Sequence, residues 1–515
     1  TNTERMRIGM LERVLFVLAF IWAVDADTKV TVGPSRHLNP MLLGLNDVLG
    51  PIVNLSYTDA SLVAAARTLR VGTLRHPGGT VANYWSLVDG RYVEGCTPGA
   101  PPHVPDEPSG RRLCGCCEFA DGVASRPVGT FSPIAFCEKN AVGGSTSAPT
   151  VFDINVLTLN SSESVAQLQY LKDANLTVEY IELGNEFYIA KDYAWRFPTP
   201  ASYVKACVPV IAAAREMFPN AKVAVVGSHN SLEWNSGVAE ELRSTIGIDG
   251  VDAVTIHMYS PMAQDAPTHI EHSFVLAFPD AALQNLSEAV ASIYSPSTRI
   301  WMTEFNYGIQ KPPLPSLTDG AVHGMFWAAH VLAAVNDVND AYNVMMMHAF
   351  TSQDGVGWDS RTGLVRVPAS GSYGPSSARV NGVAQIFAHI STLAQEGGKM
   401  HPVKVEGGAD VPVVQTTKPL PCVQAAVFSG EVAPFWYLVA INRCDRVIHI
   451  EIDISGTTLK PPTNFSTVAY SSFDAGGWTT LPPESTPLPW DGPLTPTSTT
   501  VEPVTPKFEL AALTL

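Results

Sequence analysis

Two glutamates stand where a carboxyl group is useful only if something meets it. Glu186 closes the apolar run VEYIELGNE (178–186), directly after Asn185, and Glu304 closes the apolar part of RIWMTEFNY (299–307). Two opposed carboxyls can divide a substitution between them. One attacks carbon, while the other protonates the departing oxygen and later takes a proton from water. Their mutual repulsion and partial burial keep the acid's proton in place until it is needed. The competing reading is structural: two ion-paired acids among the 48 in the chain.

Other residues could serve the same pair. Arg75 ends the run LRVGTLRH (69–76), where a guanidinium could hold the Glu304 carboxylate ionised and oriented or form an ordinary salt bridge. His257 and Tyr259 alternate in TIHMYS, so both can face one side of a strand. Tyr259 could donate to Glu304, and His257 could contact a ligand or Glu186. Gly78 and Gly79 would let backbone approach the same place. No metal-ligand spacing, phosphate-cradling glycine loop or GxSxG motif is present, so neither a metal nor a cofactor is expected.

The elements that must position these groups are legible as a rhythm. Strand-like runs fall at 42–46, 69–76, 150–158, 178–186, 222–228, 251–259, 299–307 and 342–350. They are short and apolar, as expected of parallel strands covered on both faces. Amphipathic stretches lie between them, at 161–174, 200–218 and 319–337, and 380–396 reads as a last helix. The fold class is therefore α/β: a (β/α)8 TIM barrel over residues 27–400, with a doubly wound sheet as the rival. In a barrel, strands four and seven face each other, so both glutamates can point into one cleft. Residues 90–149 break the rhythm and read as a cysteine-rich insertion on that face. Short strands and turns over 401–490 predict a C-terminal β-sandwich, and 491–515 reads as a Pro/Thr-rich tail.

The motifs carry a resemblance. GNE at the end of strand four, with TEF on strand seven, resembles the retaining glycosidases of glycoside hydrolase clan A. LRHPGGTVANYW (74–85) is similar to the strand-two segment of the heparanase/β-glucuronidase family (family 79) and of the α-L-arabinofuranosidase family (family 51). The resemblance implies Glu186 as acid/base, Glu304 as nucleophile, Asn185 on a sugar 2-hydroxyl, and a glycoside or polysaccharide substrate. It covers about residues 40–400, with the sandwich behind. FYIAKDYAW follows Glu186 where heparanases have Pro-Asn, and the insertion fits neither family. β-Glucuronides and α-L-arabinofuranosides are thus the leading substrates, with β-xylosides and β-glucosides open. Trp85, Trp195, Trp234 and Trp358 follow strands two, four, five and eight and are candidate stacking platforms. The alternative is a glycan-binding or extracellular matrix protein that keeps the scaffold without the chemistry.

Bulk properties narrow the setting. A formal charge of −16 with no basic run argues against nucleic acid as a partner. Arg7 and Arg13 precede the apolar run 14–24, and AVDA offers a cleavage site, so 1–26 reads as a signal peptide with Met6 or Met10 as its start. That run is too short to span a membrane, and no stable membrane insertion is expected. A secreted, lysosomal or vacuolar protein follows, with disulfides among its eight cysteines. Cys422 with Cys444 is the favoured pair; the other six leave fifteen pairings open. Five Asn-x-Ser/Thr triplets, at Asn54, Asn160, Asn175, Asn285 and Asn464, agree with a glycoprotein.

Overall fold

The structure is a computed structural model. It describes residues 28–39, 42–46, 69, 71–93, 150–261, 269–308 and 321–347, then 351–353, 365–367, 379–380, 384, 387–388, 390–392, 398–407, 410–411, 420–429, 436–443, 450–459, 466–470, 479–480 and 509–514. The expected signal peptide, almost all of the insertion, Trp358 and Cys444 lie outside the described residues.

Eight parallel strands close into a barrel. They are β1 (Leu43–Asn46), β2 (Thr73–His76), β3 (Thr150–Asp153), β4 (Tyr180–Glu182), β5 (Lys222–Val226), β6 (Ala253–Pro261), β7 (Arg299–Gly308) and β8 (Tyr342–Met347). Each pairs with the next and β8 pairs with β1, which excludes the doubly wound sheet. Every expected strand of the barrel is present.

The crossovers begin at residues suited to them. α1 (Ser161–Asp173) starts on a capping box of Asn160 and Glu163, and α2 (Pro200–Met217) on one of Thr199 and Ser202. Ser231 caps α3 (Leu232–Thr245). α4 (His269–Ile293) and α5 (Ala321–Val335) complete the described ring.

The barrel interior is layered by the two-residue period of its strands. Val151, Tyr180, Ala224, Ala253, Trp301, Val344 and Met346 form an apolar plug. Two residues further along β3, β4 and β7 stand Asp153, Glu182 and Thr303, all buried. Alternation therefore lifts the plug directly into a polar layer.

Behind the barrel, two sheets pack face to face. A three-stranded sheet of Thr28–Val32, Val403–Gly407 and Ile450–Asp453 meets a larger one that includes Lys399–His401, Val423–Ser429 and Trp436–Asn442. Val32, Val423, Val427, Trp436 and Leu438 fill the space between them.

Three expectations are corrected here. Thr28–Val32 and Arg36–His37 belong to these sheets, so the barrel domain does not begin at residue 27. Glu509–Thr514 is a strand paired with both Trp436–Asn442 and Ser466–Tyr470, so the expected tail includes a strand of the larger sheet. Cys207 is a free buried thiol rather than half of a disulfide. It lies on the buried face of α2, where burial pushes the thiol up to about 12.

Candidate active site

The turn after β4 is built to present one side chain. Gly184 has φ 85°, and a Cβ there would lie 2.3 Å from the Phe187 ring, so glycine is required. Phe187 anchors the far side among Tyr193, Phe197 and Tyr203. The Tyr203 hydroxyl donates to the Leu183 carbonyl and accepts from the Val226 N–H, tying β4 to β5. Between these anchors Glu186 takes φ 58°, a left-handed conformation that costs a non-glycine residue on the order of 1–2 kcal/mol. Asn83 clamps the preceding residue: its amide donates to the Asn185 carbonyl at 2.9 Å and accepts from the Asn185 N–H at 3.0 Å.

β7 solves a different problem. Strict alternation would send Thr303 and Glu304 to opposite faces. Between Thr255 and His257 on β6, however, the partner advances from Trp301 to Glu304, and a matching irregularity occurs against β8. The extra residue is a bulge, which turns both side chains inward. Thr303 reaches His257 and Glu182, while Glu304 reaches Arg75 and Tyr259.

Arg75 is the hub. Its fully buried guanidinium donates to Glu182 Oε2 at 2.6 Å and Oε1 at 3.0 Å, to Glu304 Oε1 at 2.8 Å, to Asp153 Oδ2 at 2.8 Å and to Asn185 Oδ1 at 2.9 Å. Burial opposes its charge, but Glu182, Asp153 and Glu304 together raise its pKa and hold it cationic. Three carboxyls thus share one cation. Burial, opposed by Arg75 and reinforced by the neighbouring acids, drives Asp153 well above the usual carboxylate range, which favours a retained proton in the cluster.

Arg75 also fixes the Asn185 amide. A guanidinium can only donate, so the oxygen must face it and the nitrogen must point away. Among the described residues that buried Nδ2 has no partner, leaving a free donor on the residue before Glu186.

The two glutamates meet. Glu186 Oε1 lies 3.0 Å from His257 Nδ1 and accepts from the Tyr188 hydroxyl at 3.0 Å. Glu304 Oε2 accepts from the Tyr259 hydroxyl at 2.5 Å and lies 3.6 Å from His257 Nδ1. One oxygen of each carboxyl and a nitrogen of His257 all fall within 4.8 Å of one another. Such a trio is close enough to hold a metal ion, but the Arg75 cation already satisfies Glu304 and would repel one.

The structure therefore brings together Glu186, Glu304, Asn185, Arg75, His257 and Tyr259. Trp85, Trp195 and Trp234 are placed otherwise. Trp85 and Trp234 are packed into the hydrophobic core and present no open indole face, the latter with Nε1 bonded to the Val226 carbonyl at 2.9 Å. Trp195 is half-buried and donates to the Asp192 carbonyl. Following a strand is not enough: an indole beside a barrel is usually claimed by the barrel–helix core.

Sequence reading missed Asp153, Glu182, Thr303, Asn83, Tyr188 and His229. Asp153 and Glu182 had a signal, since each is an acid inside an apolar strand. His229, after β5, bonds the backbone of His257, and burial lowers its pKa. Burial and the nearby Glu186 hold the Tyr188 phenol well above its usual range, so it remains a donor.

No protein-family model and no curated relative match the chain by sequence. Solved structures match by fold. A family 51 α-L-arabinofuranosidase from Bifidobacterium longum superposes with a TM-score of 0.63 at 13% identity, covering 95% of this chain and 100% of its own. The family 51 α-L-arabinofuranosidase of Thermotoga petrophila gives 0.61 at 15% identity over the same shares. A glucosidase from Croceicoccus marinus gives 0.50 at 10% identity, covering 89% and 84%. The chain shares the overall fold of these proteins.

Proposed function

We propose that the protein is a retaining glycoside hydrolase that cleaves O-glycosidic bonds by double displacement. The observation that carries this reading is the approach of the Glu186 and Glu304 carboxyls to within 4.8 Å. Retention needs a pair about 5–5.5 Å apart, whereas inversion leaves about 6.5–9.5 Å for a water between them.

Each group has work to do. Glu304, held by Arg75 and Tyr259, attacks the anomeric carbon and forms a glycosyl ester. Glu186 gives its proton to the departing oxygen, so the aglycone leaves as an alcohol. It then takes a proton from water, whose oxygen displaces Glu304 and releases the sugar. Asn185 Nδ2 donates to the sugar hydroxyl next to the anomeric carbon. Of the two leading sugars, α-L-arabinofuranosides are favoured by the family 51 structures of similar fold, and β-glucuronides by the LRHPGGTVANYW segment. The apolar run at 14–24 supports a secreted, lysosomal or vacuolar setting.

The test is a panel of aryl α-L-arabinofuranosides, β-glucuronides, β-xylosides and β-glucosides, with the first-formed anomer read by proton NMR. One hydrolysed member with retained configuration, lost by about 10⁴-fold or more in Glu304→Gln, is expected. An inverted product, or full activity in the variant, rules the reading out.

A further inference from the structure

His257 touches Glu186 with one ring nitrogen, and what it does there depends on which nitrogen carries the hydrogen. Nδ1–H would donate to Glu186 and favour the carboxylate. A bare Nδ1 would accept from Glu186 and favour the acid. The groups behind the ring decide it.

Glu182 is held by Arg75 through both oxygens, at 2.6 and 3.0 Å, so each oxygen accepts. The Thr303 hydroxyl lies 3.1 Å from Glu182 Oε1, and its hydrogen must point there. Were it to point at His257, two lone pairs would face each other in a buried site. The Thr303 oxygen is then left to accept from His257 Nε2, 3.1 Å away. Donation thus runs inward, from His257 to Thr303 to Glu182, and its direction is set by the guanidinium that holds Glu182, a cation that cannot give up its charge.

We propose that Thr303 and Glu182 are positioning residues that fix His257 as its Nε2–H tautomer, so that Nδ1 accepts the proton of Glu186. The proposal rests on the acid/base reading of Glu186. Losing that proton leaves a carboxylate and a bare nitrogen facing each other at 3.0 Å, which favours prompt recovery of a proton from the attacking water. The relay therefore gives the Glu186 hydrogen an acceptor before cleavage, and gives one again to the hydrogen taken from water afterwards. The β7 bulge serves the relay, because it turns Glu304 inward beside Thr303, which alternation from Trp301 already faces inward.

Other groups act on the same pair. Tyr188 donates to Glu186, His229 bonds the backbone of His257, and Tyr259 and Arg75 act through Glu304. None of them contacts Nε2, so removing the Thr303 hydroxyl isolates the relay.

The experiment has two readouts. In protein labelled with 15N only at histidine, the His257 signals, identified by their loss in His257→Gln, should show a protonated Nε2 and a bare Nδ1 at neutral pH. Thr303→Val should convert the ring to Nδ1–H or a mixture, and Thr303→Ser should restore it. This readout needs no substrate, so it stands apart from any failure of the hydrolase reading. In turnover, Thr303→Val should lose about tenfold on glycosides with poor leaving groups and less than about twofold on activated aryl glycosides. Its alkaline limb should move down by about one pH unit. A wild-type His257 bearing hydrogen on Nδ1, or a Thr303→Val enzyme equally impaired on both substrates with an unmoved pH profile, overturns the proposal.

Discussion

The two ends of the barrel handle charge in opposite ways. At the carboxyl end of the strands one cation, Arg75, serves three acids, and the cluster is closed to water. At the amino end one acid serves two cations. Asp252, just before β6, accepts from Arg215 of α2 at 2.7 Å, from Lys222 at the head of β5 at 3.2 Å and from the Val223 N–H at 2.9 Å. That site is half-buried and every charge has a partner. The amino end is arranged for holding strands and helix together. The carboxyl end leaves acids in excess, one of them pushed well above the usual carboxylate range, and, among the described residues, an unused donor on Asn185. Unequal accounting of this kind is poor for stability and suited to chemistry.

The sharpest break of that contrast is Arg75→Met. It strands buried carboxyls, so the fold should lose about 3–5 kcal/mol. Glu304 also loses its orienting cation, and turnover should fall by about a thousandfold. Denaturant melts paired with kinetics check both. A variant that melts like the parent would mean the acids had already taken up protons, and Arg75 was not the hub.

Asp153→Asn sharpens the contrast from within the cluster. A carboxyl whose folded pKa is raised binds its proton more tightly in the native state. Its contribution is complete below the unfolded value, about 3.9, and declines as pH rises through the folded one. The parent should therefore lose stability on moving from mildly acidic toward alkaline pH, and Asp153→Asn, which cannot ionise, should flatten that slope. Parallel pH–stability curves for the two proteins would contradict the retained proton.

Much of this contrast was legible in the sequence, and the remainder fails for identifiable reasons. Glu186, Glu304, Arg75, His257 and Tyr259 were found because each ends or alternates within a strand-like run, and a barrel gathers strand ends by construction. Asp153 and Glu182 carried the same signal, but an isolated acid in an apolar run does not name its cation. Thr303 was invisible for a deeper reason. Alternation places it opposite Glu304, and only a bulge set by pairing with β6 and β8 brings both inward. Trp85 and Trp234 failed the other way, because position after a strand says nothing about which neighbour claims an indole. The sheets behind the barrel borrowed strands from both ends of the chain, and such long-range pairing leaves no local trace.

The smallest effect should come from the amino end. Half burial tends to raise the Asp252 pKa, but the Val223 N–H, Arg215 and Lys222 outweigh it and hold the carboxyl below its usual range. Stability from a depressed carboxyl is present above the unfolded value, about 3.9, and is lost as pH falls through the folded one. Asp252→Asn should therefore cost about 1 kcal/mol at neutral pH after allowing for solvent screening. In strong acid the variant and the parent should converge. Turnover should not move, because nothing at this end touches Glu186 or Glu304. Calorimetric melts across pH, run beside the kinetics, read both at once. A drop in turnover without a drop in melting temperature would mean the two ends are coupled through β5 and β6, and that the amino end does more than hold the barrel together.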